Sequence, residues 1–148
     1  MLCSVGKPVK QDGDEQLAAD WHELMSRYHR ITCNLDRELM AQHELTVSEF
    51  EVLQQLATAT DDTMRMHELG EQAHLTQSAL SRLVSRLERD GLVERGMCAD
   101  DRRSVWAKLT PAGAKRYAEA KPTQRAILRD QAVSCLEQSA QTFNPVRS

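Results

Sequence analysis

A short helix that is followed within three residues by a strongly amphipathic helix restricts the fold of this chain more than any other feature. Residues 67–73 predict the short helix, with Leu69 facing inward, and residues 74–76 form the turn. The second helix spans 77–90, with Thr76 as its N-cap and Gly91 just past its end. Its apolar stripe follows the i, i+3, i+4, i+7 spacing that predicts one buried face, at Leu80, Leu83, Val84 and Leu87.

A β-hairpin is predicted directly after these two helices. Residues 92–97 read as one strand and 105–109 as a second, because apolar and polar residues alternate in the latter. The segment 98–104 between them is a polar loop, and Thr110 with Pro111 begins another helix. Upstream, Thr46 and Glu49 form a capping box, and residues 64–66 form a short extended piece. The predicted fold class is therefore mainly α with a small β-hairpin wing, a winged helix-turn-helix.

The first helix, predicted over 14–42, is unusually long and carries a nearly heptad apolar seam. It spans ~40 Å at 1.5 Å per residue, which exceeds one small domain. It is either a long core helix of a monomer or a helix that packs partly on a second subunit, and the seam length favours the second. The seam consists of Leu17, Trp21, Leu24, Tyr28, Ile31, Leu35 and Leu39.

These patterns divide the chain into four predicted regions. Residues 1–13 are a flexible arm, 14–45 an N-terminal dimerisation helix, and 46–110 a winged helix-turn-helix DNA-binding region. Residues 111–148 form a C-terminal helical region and tail, in which Pro122 is expected to kink or break the helix. Because the chain lacks a signal peptide and a run of 18 apolar residues, and its four cysteines are scattered, a reduced cytoplasmic setting is expected.

The net charge of −3 hides a basic centre in an acidic chain. Residues 1–64 carry 5 basic and 12 acidic side chains, whereas residues 65–116 carry 10 basic and 7 acidic ones. This distribution predicts a nucleic-acid face with acidic flanks, and the basic part coincides with the amphipathic helix and the hairpin.

The polar face of helix 77–90 is predicted to contact double-stranded DNA. Small hydroxyls let the backbone approach a groove, and Arg and Gln present forked donors to base edges. The N-terminal residues of such a helix read bases, and later ones lie near phosphates. An ordinary solvated helix is the alternative, and the neighbouring short helix and basic hairpin argue against it. Base-reading candidates are Gln77, Ser78, Ser81 and Arg82; phosphate-contact candidates are Ser85, Arg86 and Arg89.

The hairpin tip carries the second predicted DNA contact. Arg102 and Arg103 can follow the adjacent minor groove, where the negative potential attracts Arg. Asp100 or Asp101 is expected to orient one of these guanidinium groups through a bidentate contact. A solvated turn is the alternative.

Four segments at these spacings resemble the MarR family of bacterial transcription regulators: LTQSALSRLV (75–84), DGLVER (90–95), DRR (101–103) and LTPAG (109–113). The resemblance covers about residues 14–120. It implies a homodimer that binds a palindromic operator, mostly as a repressor, and is released by a small, often phenolic, ligand or by an oxidant. It also implies that residues 111–148 are a C-terminal helical dimerisation region and tail, which completes the dimer with the N-terminal helix. It also places Asp101, Arg102 and Arg103 in the wing. Two departures are Gly70, where the family usually has Ala, and a polar tail in place of a leucine-rich last helix.

Other chemistry receives weaker support from the sequence. Trp21, His22, Tyr28 and His29 could line an effector crevice between the dimer part and the winged part, although seam packing is favoured for the two aromatic residues. Oxidation at Cys33 or Cys98 would make a thiol-based regulator, although ordinary thiols are favoured. No metal site, cofactor or catalytic motif is predicted. A winged-helix protein-interaction module without operator binding is the remaining alternative.

Overall fold

The computed structural model describes the backbone of residues 10–97, 99–100 and 104–142, and the side chains of 13–97, 99–100 and 104–131. The helices and short strands follow one another in the order that the sequence predicts, and a 3-10 turn at Thr60–Asp62 precedes the first strand. The elements are α1 (Lys10–His43), α2 (Val47–Thr58), β1 (Thr63–Arg65), α3 (Met66–Gln72), α4 (Gln77–Arg89), β2 (Val93–Met97), β3 (Val105–Leu109) and α5 (Pro111–Thr142).

Helix α1 begins at Lys10, four residues before its predicted start, so residues 10–13 of the predicted flexible arm are helical. The acidic residue at position 12 falls in the first turn of this helix, where a negative charge is favourable. The seam divides in two along this helix. Leu35 and Leu39 are buried in the core, whereas Leu17, Trp21 and other N-terminal seam residues are exposed.

The predicted capping box at the start of α2 is confirmed. The Thr46 hydroxyl accepts from the Glu49 N–H at 3.1 Å, and Glu49 Oε2 accepts from the Thr46 N–H at 2.8 Å. A further contact attaches α2 to α1, because Asp36 Oδ1 accepts from the Val47 N–H at 2.7 Å. These bonds fix the angle at which the chain leaves the long helix and enters the winged region.

The three described strands form an antiparallel sheet in the order β1-β3-β2. The β2–β3 hairpin pairs Val93 with Leu109 and Met97 with Val105, which confirms the predicted hairpin. Strand β1 adds to the other edge of β3, with Met64 opposite Ala107. The sheet therefore connects the segment before the helix-turn-helix to the wing that follows it.

Helix α4 packs its predicted stripe into the core, where Leu80, Val84 and Leu87 are fully buried and Leu83 is half-buried. It ends at Arg89 with Asp90 as its C-cap, and Gly91 takes a positive φ of 73°, a conformation that glycine adopts without steric cost. The other core residues come from α1, α2, α3, the hairpin and α5, among them Leu39, Phe50, Leu69, Val93 and Tyr117.

Helix α5 passes through Pro122 without a break, so of the two predicted effects of this proline, a kink or a break, the break is wrong. The buried side chains of Tyr117, Ala120 and Ile127 pack this helix onto the core. We attribute the continuity to this packing, which offsets the ~3 kcal/mol that a proline costs in a helix interior. Thr110 caps the helix as predicted, since its hydroxyl accepts from the Gly113 N–H at 3.0 Å. Within the described residues, no helix combines the length and apolarity needed to cross a membrane.

Candidate nucleic-acid interface

Helix α4 presents a polar, basic face to solvent on the side opposite its buried stripe. Ser78, Ser81, Arg82 and Arg89 are exposed on this face. The arrangement follows from the sequence alone, because burying the leucine stripe forces the serines and arginines outward. The exposed positions near the N-terminal end match those from which a recognition helix reads base edges.

The N-terminal part of this face is held in place by contacts along the helix itself. Arg82 Nε donates to the Ser78 carbonyl at 3.4 Å, a long contact that leaves the rest of the guanidinium for a ligand. Ser85 Oγ donates to the Ser81 carbonyl at 2.8 Å. The helix surface between the arginines is therefore recessed, because only small hydroxyl side chains lie between them.

Gln77 sits at the joint between the two helices of the helix-turn-helix. Its Nε2 lies 3.5 Å from the Met66 carbonyl oxygen, so the exposed amide reaches back across α3. A Cβ added at Gly70 would stand 2.5 Å from the same Nε2 and 3.3 Å from the Leu75 carbonyl oxygen. The glycine at position 70, a departure from the family pattern, thus leaves space for the Gln77 side chain.

Arg86, a predicted phosphate contact, also contacts a protein carboxylate. Its Nε lies 2.6 Å from Oε1 of Glu49 on α2, and the Glu49 side chain is almost fully buried. A buried charge requires a partner, and Arg86 supplies it. The Arg86 guanidinium thus pairs α4 with α2 within the chain, and because its side chain is still half exposed, the phosphate contact of Arg86 stays a prediction.

Ser85 has a similar internal role that the sequence did not reveal. Its hydroxyl accepts from Arg95 Nη2 on β2 at 2.6 Å, and the same nitrogen lies 3.3 Å from Glu88 Oε2. Arg95 is half-buried and fastens the hairpin to the C-terminal half of α4. This contact was not predicted from the sequence, although the opposite charges of Glu88 and Arg95 on adjoining elements are a detectable signal.

The predicted wing contacts lie mostly outside the described residues. This applies to Asp101, Arg102 and Arg103, and also to Cys98. Asp100 is exposed at the start of the loop. The strands on either side of the loop are paired from Val93 opposite Leu109 to Met97 opposite Val105.

An open cleft of about 810 Å³ separates α1 from the winged region. Its walls include Asp36 and Met40 from α1 and Leu75, Leu83 and Arg86 from the helix-turn-helix. The four effector-binding candidates predicted from the sequence do not line this cleft. Their exposed side chains lie farther toward the N-terminus of α1: Trp21, His22, Tyr28 and His29.

Cys33, the other candidate on α1, is an exposed free thiol. Its Sγ lies 3.5 Å from Nε2 of His29, one helical turn earlier. A contact between these two residues was not predicted from the sequence, although a His and a Cys four positions apart in a helix share a face. The thiol-switch prediction for Cys33 stays a prediction.

Comparison with known proteins agrees with this geometry. The profile of the MarR family matches residues 43–104, which run from the end of α1 to the hairpin. An uncharacterized HTH-type transcriptional regulator of Bacillus cereus is 31% identical over 107 residues, 72% of this chain and 69% of that protein. The regulator FarR of Neisseria gonorrhoeae is 32% identical over 83 residues, 56% of each chain.

Two further similarities bear on function. The homoprotocatechuate degradative operon repressor of Escherichia coli is 31% identical over 81 residues, 55% of this chain and 53% of the repressor. This chain thus spans about half the length of FarR and of that repressor. Sco3205, a MarR family transcriptional regulator from Streptomyces coelicolor solved in complex with DNA, superposes with a TM-score of 0.74 at 26% identity, covering 90% of each chain.

The residues that the family profile matches include the helix-turn-helix and its basic outer face. The profile match and the similarity to the Bacillus cereus protein show that this chain belongs to the MarR family of winged helix-turn-helix transcriptional regulators.

Proposed function

We propose that this protein binds double-stranded DNA in a sequence-specific manner through α4. The observation that carries the proposal is the exposed face of Ser78, Ser81, Arg82 and Arg89 opposite a fully buried leucine stripe. A helix of 13 residues with this profile fits the major groove, where Arg recognises guanine and small hydroxyls permit close approach. Sco3205, which shares the fold, was solved with DNA.

The binding unit is a homodimer, and its operator is palindromic. The exposed N-terminal seam of α1 argues for a second subunit: Leu17 is 67% exposed, Trp21 62% and Tyr28 64%. Contiguous exposed apolar side chains of this size usually mark an interface. A twofold dimer presents two copies of α4 to two half-sites, which is why its DNA target repeats in inverted orientation.

The protein acts as a repressor in the bacterial cytoplasm. A small molecule releases it from DNA, and phenols are among the candidate ligands. The cleft between α1 and the winged region suits such a ligand, since its walls combine apolar Met40 and Leu83 with the charged group of Arg86. Arg86 also contacts Glu49 under α4, so occupancy of the cleft would be transmitted to the DNA-binding helix. The similarity to the Escherichia coli repressor agrees with this role.

Fluorescence anisotropy tests the proposal with labelled duplexes from the upstream region of the protein's own gene. The expected result is tight, salt-sensitive binding to one duplex that contains an inverted repeat, and weak binding to the same duplex with the repeat scrambled. Adding a series of small phenols to the complex tests release. Equal affinity for both duplexes would contradict sequence-specific binding and would favour the protein-interaction alternative.

A further inference from the structure

His29 and Cys33 lie one turn apart on an exposed face of α1, and their side chains meet. Cys33 Sγ is 3.5 Å from His29 Nε2 and 4.0 Å from Nδ1. Both residues are exposed, so neither is held there by burial in the core. The two atoms that would coordinate a metal ion are therefore adjacent and open to solvent.

The separation of these two atoms matches the geometry of a tetrahedral metal ion. A Zn–S bond of about 2.3 Å and a Zn–N bond of about 2.0 Å, at an angle of about 109°, place sulfur and nitrogen about 3.5 Å apart. We propose that His29 and Cys33 form a two-ligand site for a borderline divalent cation such as Zn²⁺ or Co²⁺. Thiolate and imidazole donors select such ions over Mg²⁺ and Ca²⁺, which prefer oxygen.

The coordination positions of the proposed ion that His29 and Cys33 do not fill face solvent. In the part of the chain that the structure describes, no group of three His, Cys, Asp or Glu residues is arranged to hold a metal ion. Water therefore fills the remaining positions, and the ion exchanges readily. His22 lies on the same side of the helix as His29 but about 10 Å along the axis, too far to be a third ligand.

A second subunit on the apolar seam would leave the site uncovered. At about 100° per residue, His29 and Cys33 stand roughly 100° to 160° around α1 from Tyr28 and Leu35, which belong to the seam. The site also marks the place where α1 passes from its exposed half, at Tyr28, to its buried half, at Leu35. A bound ion links two successive turns there and stabilises the helix at that junction.

Titration of the full chain with Co²⁺ tests the site, because a thiolate ligand gives a sulfur-to-cobalt charge-transfer absorption. The parent protein for this experiment carries Cys3→Ser, Cys98→Ser and Cys135→Ser, which leaves Cys33 as its single thiol. The expected result is one Co²⁺ per chain, displaced by Zn²⁺. Cys33→Ser should abolish the absorption, and His29→Asn should weaken binding at least tenfold.

His22→Asn is the matched control and should titrate like the parent. Thermal unfolding of the wild-type chain gives a second readout that does not need the cysteine substitutions. Zn²⁺ should raise its midpoint, and the rise should be absent in Cys33→Ser. The proposal is overturned if the parent shows no charge-transfer absorption at millimolar Co²⁺, if His29→Asn titrates like the parent, or if Zn²⁺ raises the midpoint of Cys33→Ser as much as that of the wild type.

Discussion

Glu49 Oε1 lies 2.6 Å from Arg86 Nε, and the other oxygen of the same carboxylate accepts the Thr46 N–H at 2.8 Å. Glu49 is only 4% exposed, so both carboxylate oxygens have a partner where water has little access. One carboxylate thus caps α2 and holds α4, the DNA-binding helix of the proposed function. The position of α4 depends on a side chain that does not face DNA.

Replacing Arg86 with Ala should destabilise the fold, because the Glu49 charge would lose its partner. We expect a loss of about 1–3 kcal/mol in the free energy of unfolding, the usual cost of leaving a buried polar group without one partner. Urea denaturation followed by circular dichroism measures it. Arg89→Ala is the control, and as an exposed substitution on the same helix it should change stability by less than about 0.5 kcal/mol. Equal stability of the two variants would show that the ion pair contributes nothing.

Arg82 and Arg89 should affect DNA binding in different ways. Arg82 stands near the N-terminal end of α4, so Arg82→Ala should cost about 1–3 kcal/mol on the operator and relax its sequence preference. Arg89 stands near the C-terminal end, so Arg89→Ala should weaken binding to all duplexes alike and reduce the salt slope by about 1. Anisotropy at four salt concentrations, on operator and scrambled duplex, separates the two effects. Loss of discrimination in Arg89→Ala, with Arg82→Ala unchanged, would reverse the assignment.

The sequence predicted the helix-turn-helix and the hairpin because their signals are local. Thr46, Thr76 and Thr110 each cap a helix, and the stripe on α4 is regular enough to assign its buried face. The candidate site was predictable to the same extent: once Leu80, Val84 and Leu87 are buried, the exposed serines and arginines follow. These inferences need only the period of the helix and the chemistry of its ends.

Contacts between residues that are far apart in the chain could not be predicted from the sequence. The pairing of Arg86 with Glu49 joins residues 37 positions apart, and that of Arg95 with Ser85 joins a strand to a helix, so neither has a periodic signal. The cleft combines residues of α1 with residues of the helix-turn-helix, a combination that has no local signal in the sequence. Composition around Pro122 likewise suggested a break that the packing of α5 overrides.

Trp21→Lys should weaken the proposed dimer. Trp21 is exposed in the middle of the N-terminal seam, and a lysine there would place a charge in an apolar interface. Aromatic residues at interface centres typically contribute about 2 kcal/mol or more, so the dimer dissociation constant should rise at least thirtyfold. Analytical ultracentrifugation over a range of concentrations measures it. His22→Lys, on the neighbouring face, is the control; equal dissociation constants would place the interface elsewhere.

Gly113→Ala should destabilise the junction between the hairpin and α5. A Cβ at this buried position would overlap the Leu92 carbonyl oxygen, which is fixed because it accepts from the Thr110 N–H at 3.1 Å. Such overpacking costs about 1–3 kcal/mol. Gly13→Ala is the matched control of opposite sign, since nothing lies within 4 Å and alanine favours a helix by about 1 kcal/mol over glycine. Thermal unfolding of both variants should shift in opposite directions, and an unchanged midpoint for Gly113→Ala would contradict the close approach.

Pro122→Ala should stabilise the protein without altering its fold. Pro122 is exposed inside α5, so its ring contributes little to the core, and it leaves the Ala118 carbonyl without its helical donor. Alanine restores that hydrogen bond, and we expect a gain of about 1–3 kcal/mol, up to the full cost of a helical proline. Urea denaturation measures the gain, and Ala126→Gly, another exposed site on the same helix, should lose about 1 kcal/mol. A loss in Pro122→Ala would mean that a bend at the proline is needed for α5 to follow α1, and that the packing of Ile127 depends on it.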